Sequence, residues 1–123
     1  MKTYVMLNGE RYLEIEDAVE AAERQELESA EIYVYSDNGE LVETQNITAE
    51  DNYQYHAYAV FRDRELEREE WEWYGNTEVC YNTEYEARDV VNAAAPGRYS
   101  ITKVTQTVSE YVEDTDIETI TIE

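Results

Sequence analysis

The stretch "DRELEREEWEWYG", Asp63 to Gly75, sets Asp63, Glu65, Glu67, Glu69, Glu70 and Glu72 around Trp71 and Trp73. Read as a helix it gives a poor apolar stripe. Read as a strand, it alternates so that both tryptophans share a face with Glu65, Glu67 and Glu69. The strand reading is preferred, and it makes the stretch one arm of a hairpin whose other arm is the aromatic and β-branched run Tyr53–Phe61. His56, within that run, reads as a half-buried strand residue.

Downstream, Thr83 with Glu86 forms a capping box, Ala87, Val90, Val91 and Ala94 recur at helical spacing, and Pro96-Gly97 ends the segment. A helix is the expectation there. Two β-rich runs follow, Tyr99–Val108 and Ile117–Ile122, with Glu110–Asp116 expected as the acidic connection between them. Upstream, Thr3–Leu7 reads as a strand ended by Asn8-Gly9. Asp17 with Glu20 suits a helix start, and Ile15, Ala18, Val19 and Ala22 make an apolar stripe for a helix over 16–28. Residues 31–36 and 40–44 flank Asp37-Asn38-Gly39 as a tight hairpin. A calcium loop would need further aspartates and a distal Glu that this stretch lacks.

The expected order is β-α-β-β-β-β-α-β-β. It predicts an α+β fold with one mostly antiparallel sheet and two helices on one face. At 123 residues the chain has the length of a single domain. Tyr12 and Ala18 precede and enter the first helix as Tyr81 and Ala87 do the second, a hint of two related parts, 1–52 and 53–123.

Composition narrows the function. Apolar residues make up 42% with one Pro and four Gly, so the chain should fold despite a formal charge of −21. No run approaches the roughly 18 to 20 apolar residues of a membrane span, and Met1–Val5 is too short for a signal-peptide core, so a cytoplasmic protein is expected. One Cys and one His leave no zinc set. There is no Gly-rich phosphate loop, nucleophile elbow or HExxH, so no catalytic residue, metal or cofactor is assigned, and the chain is not expected to be an enzyme.

The charge is informative because it is spread out: residues 1–52 carry 14 acids and 3 bases, and residues 53–123 carry 16 and 6. Direct nucleic-acid binding fails on sign, since phosphate contact needs Lys and Arg. The reverse role fits. A chain of this length has a diameter of about 35 Å, over which duplex DNA carries about 20 negative charges. Glu16, Glu20 and Glu23 are expected on one helical face at about 6 Å steps, and Glu65, Glu67 and Glu69 on one strand face at about 6.6 Å steps. Twelve of the 15 aromatics are Tyr, a residue enriched, like Trp, at interfaces.

In size, acidity, tyrosine content and lack of a catalytic motif the chain resembles the small DNA-mimic proteins of phages and plasmids, the anti-restriction proteins and acidic anti-CRISPR inhibitors. The resemblance implies a stoichiometric inhibitor, monomeric or homodimeric, that occupies the basic DNA-binding channel of a Cas9-type effector or restriction enzyme in the host cytoplasm. For a Cas9-type target it implies carboxylates paired bidentately with the arginines that read the PAM.

Charge density assigns the contact surface to Glu65, Glu67, Glu69, Glu70, Trp71, Glu72 and Trp73. Glu16, Asp17, Glu20 and Glu23 extend it, as do Glu113, Asp114 and Asp116. The alternatives are an adaptor domain for a basic protein partner and a halophile-adapted domain. Against the second, Glu outnumbers Asp 23 to 7.

Overall fold

The computed structural model describes residues 2–65, 70–74 and 80–123. The order is β1 (Thr3–Leu7), β2 (Glu10–Tyr12), α1 (Ile15–Arg24), β3 (Ser29–Ser36), β4 (Leu41–Thr48), β5 (Tyr55–Glu65), β6 (Glu70–Trp73), α2 (Glu84–Asn92), β7 (Gly97–Gln106) and β8 (Tyr111–Ile122). The fold is α+β, as expected, with every strand pair antiparallel.

The expected single sheet is instead two four-stranded sheets, ordered β2-β1-β3-β4 and β6-β5-β7-β8. The break between them has a local cause. Asn52 and Tyr53 take left-handed φ values of 55° and 59°, turning the chain between β4 and β5. Beyond the turn, the side-chain amide of Gln45 replaces a backbone ladder: its Nε2 donates to the His56 carbonyl at 2.8 Å, and its Oε1 accepts from the His56 N–H at 2.9 Å.

The helices do not share one sheet face. In the first core Ile15, Ala18, Val19, Ala21 and Ala22 of α1 pack with Val5, Leu7, Ile32 and Val34, and Tyr55 and Ala57 of β5 join them. In the second, Ala87 and Val91 of α2 pack with Val60, Tyr99 and Ile101. Alternation along β5 explains the division, because Tyr55 and Ala57 point to the face opposite Val60. Each fully buried Ile or Val contributes roughly 1.5 to 3 kcal/mol.

The helix ends follow from capping. Thr83 Oγ1 accepts from the Glu86 N–H at 3.3 Å, which bears out the N-cap half of the capping box, while Glu86 Oε2 reaches one residue past the N-cap and accepts from the Asn82 N–H at 3.0 Å. The first helix begins earlier than Asp17, at Ile15, and its N-cap Glu14 makes no side-chain cap. Asn82 of the other half does that work: its Oδ1 accepts from the Ile15 N–H at 2.8 Å, and its Nδ2 donates to the Leu13 carbonyl at 2.8 Å and to Thr3 Oγ1 at 3.1 Å. α1 stops at Arg24, short of residue 28, because Glu26 turns left-handed at φ 52°. The Leu27 N–H then reaches the Ala22 carbonyl and the Glu26 N–H the Glu23 carbonyl, a Schellman end without glycine.

The opening stretch is extended, as expected, but it is not one arm. Asp63 to Glu65 complete β5 and Glu70–Trp73 form β6, so that Phe61 pairs with Trp73, Arg62 with Glu72 and Asp63 with Trp71, and two facing strands replace the single expected arm. Strands β3, β4 and β5 run beyond the expected limits, to Ser29–Ser36, Leu41–Thr48 and Tyr55–Glu65, and two larger differences stand out. β2 was not anticipated. The acidic segment 110–116 is not a connection, since Tyr111 to Asp116 open the long strand β8 and the turn closes earlier, with the Thr107 N–H bonded to the Glu110 carbonyl at 2.7 Å.

Candidate functional site

Residues opposite one another across a ladder share a face. In the second sheet, Trp73–Phe61–Ser100 and Trp71–Asp63 follow from one set of pairs, and Ala59–Thr102–Asp116 and Ala57–Val104–Asp114 from the next. All lie on the face away from α2. α1 abuts one end of this face through Tyr55 and Ala57. At the other end a cavity of about 290 Å³ opens, lined by Phe61, Trp71, Ser100, Thr102, Asp114 and Asp116.

The two tryptophans are exposed, at 38% for Trp71 and 39% for Trp73. Trp73 packs on Phe61 with ring centroids 4.7 Å apart. The Arg98 guanidinium lies over the Trp71 ring at 5.1 Å and pairs with the Asp63 carboxylate, whose side chain is wholly buried. Asp63 is thus a structural ion pair and not part of a solvated acidic run. On the cavity floor, Thr102 Oγ1 and Ser100 Oγ donate to Asp116 Oδ1 at 3.1 Å and 3.4 Å. Both hydroxyls are almost fully buried.

The structure brings together Trp71, Asp114 and Asp116 from two segments that the sequence separates by about forty residues. Other expected members fall elsewhere. Glu67 and Glu69 lie outside the described residues. The backbones of Glu65 and Glu70 pair with each other at the end of the β5–β6 ladder. Glu72 is exposed but alternates to the opposite face from Trp71 and Trp73. Glu113 also alternates away from Asp114, into a separate pocket with His56, Lys103 and Thr105.

On α1, Glu16, Glu20 and Glu23 keep the spacing of one helical face. Asp17, Glu20 and Glu23 are exposed, whereas Glu16 is half-buried beside Tyr55 and Cys80. Burial first, then the charges of Asp17, Glu20 and Glu14, push the Glu16 carboxyl above its ordinary range. Burial and Asp17 do the same to Glu14. The Cys80 thiol is pushed up to about 11, chiefly by burial and secondarily by Glu16.

Phe61, Ser100 and Thr102 were not anticipated as site residues. The signal for the hydroxyls is present in β7, where Ser100 and Thr102 alternate with the core residues Tyr99 and Ile101. Among the described residues no group of three or more His, Cys, Asp or Glu is placed to hold a metal ion, and no helix is long and apolar enough to cross a membrane. A scan of protein-family models and searches of curated proteins and solved structures found no match.

Proposed function

We propose that the chain is a stoichiometric, non-enzymatic inhibitor that offers carboxylates in place of DNA phosphates to the basic nucleic-acid channel of a defence nuclease in the host cytoplasm. The observation that carries this reading is an uncompensated carboxylate excess on a folded body. The chain has 30 acids against 9 bases, so even if every base were paired most carboxylates would stay unbalanced; among the described residues arginines pair with Asp63, Glu84 and Glu118. Such a field repels itself in the compact state, and it draws in a basic surface from a distance. The exposed Trp71 and Trp73 supply rigid contact area beside that field.

A DNA-cleavage titration tests the reading. Guide-loaded Cas9 and a type I restriction enzyme are each incubated with the protein, or with poly-glutamate of matched charge, at two salt concentrations. The expected result is one-to-one protection of one enzyme, absent with the polymer and weakened by salt. Protection of neither enzyme would overturn it.

A further inference from the structure

We propose that the cavity on the open face of the second sheet receives one arginine side chain of the basic partner, a statement that rests on the partner reading above. Its walls are chemically opposed: Asp114 and Asp116 on β8 face the rings of Trp71 and Phe61, and the hydroxyls of Ser100 and Thr102 form the floor. At about 290 Å³ it is at the lower limit of small-molecule sites, which run from roughly 300 to 1,000 Å³, and its size suits a side chain. Among the described residues no cationic side chain pairs with Asp114 or Asp116. The two floor hydroxyls hold Asp116 Oδ1 in place, so the carboxylate is oriented before any ligand arrives.

The same face already holds a guanidinium by this chemistry. Arg98 lies over the Trp71 ring at 5.1 Å and pairs with Asp63. The cavity repeats that donor set, carboxylate plus aromatic ring, one step across the sheet. A guanidinium fits it better than an ammonium does, because it is planar, stacks on a ring and bonds a carboxylate through two parallel N–H groups.

The test needs no nuclease, so its failure is separable from failure of the inhibitor reading. Isotope-labelled protein is titrated with three blocked peptides that differ at one residue, arginine, lysine or the neutral isostere citrulline, while the amides of Ser100, Thr102 and Asp116 and the Trp71 indole N–H are followed by NMR. The arginine peptide is expected to shift these signals saturably, the lysine peptide to bind more weakly, and citrulline to leave them unmoved. The D114N/D116N variant keeps an acceptor for the floor hydroxyls and should lose about tenfold in arginine-peptide affinity with an unchanged Tm.

Equal binding of lysine or citrulline would overturn the proposal. So would equal shifts at Asp17 and Glu20 on α1, or an affinity that D114N/D116N leaves unchanged. Saturable arginine binding in a protein that protects neither nuclease would support the site and refute the inhibitor reading alone.

Discussion

Residues 3–48 and 55–122 run through the same sequence of elements, two strands, a helix and two strands, and each half orders its sheet second-first-third-fourth. The equivalence extends to single pairs. Val5 opposes Tyr12 ahead of α1, and Tyr58 opposes Tyr81 ahead of α2. Leu7 and Val60 then correspond, and there the halves part. The first hairpin turns at Asn8 and Gly9, both at positive φ, whereas β5 continues through Phe61 to Glu65 and carries the tryptophan arm.

The outward faces part too. Tyr4, Met6, Tyr33 and Tyr35 line the first sheet, with Tyr4 stacked on Tyr35 at 5.4 Å and Arg11 over Tyr4 at 4.0 Å. The corresponding places in the second sheet hold Ala57, Ala59, Thr102 and Val104. Large rings line one face, around an open recess of about 750 Å³, while small residues on the other leave room for α1 at one end and the smaller cavity of about 290 Å³ at the other. One scaffold thus supports two surfaces, and the outward residues together with the longer β5–β6 hairpin set the difference.

The sharpest way to break this comparison is at the position just before each helix N-cap, Leu13 in one half and Asn82 in the other. Asn82→Ala orphans the Ile15 N–H and the Leu13 carbonyl and should cost about 3 kcal/mol or more, whereas Leu13→Ala, at an exposed residue, should cost under about 0.5 kcal/mol. Denaturant unfolding measures both, and equal losses would refute the interlock.

Next is the base of the extended hairpin. Asp63→Ala leaves Arg98, which is about a quarter exposed, without this carboxylate and should cost about 2 kcal/mol. Trp71→Leu, by contrast, should cost under about 1 kcal/mol and act on binding, as read by thermal melts beside the cleavage titration.

The caps give a smaller contrast. Thr83→Ala should cost about 1 kcal/mol and Glu14→Ala under about 0.5 kcal/mol, because Thr83 caps with its side chain and Glu14 does not.

The smallest effect concerns charge. The Glu16 carboxyl is raised above its ordinary value of 4.5 by burial and then by Asp17, Glu20 and Glu14. The folded state therefore binds its proton more tightly than the unfolded state, and the associated stability is present at low pH and lost as pH rises through the folded value. Glu16→Gln should raise Tm slightly near pH 7, leave it unchanged near pH 4, and do less at high salt. A lower Tm near pH 7 would overturn the assignment.

Local pattern was enough to read α2, whose cap, apolar stripe and Pro-Gly stop agree, and the β3–β4 hairpin around Asp37-Asn38-Gly39. It missed β2, a three-residue strand with no apolar run, and the end of α1, where Glu26 takes the left-handed turn usually left to glycine. It also read the carboxylates of β8 as a loop. An edge strand tolerates charges because its side chains stay in water while its backbone pairs inward. Of the candidate site, composition pointed to Trp71, Asp114 and Asp116 but joined them to Glu72 and Glu113. Strand alternation puts both glutamates on the other face.

Residue order alone determined the α+β class, the two helices, most of the strand-forming stretches and the carboxylate excess, since these depend on periodicity, capping and charge count within short windows. Tertiary structure decided that there are two sheets and that Asn82 caps the helix of the other half. It also buried Asp63 and brought Trp71 to the same cavity as Asp114 and Asp116. Those outcomes depend on register and on contacts between residues far apart in the chain, where one residue's slip would turn every side chain to the opposite face.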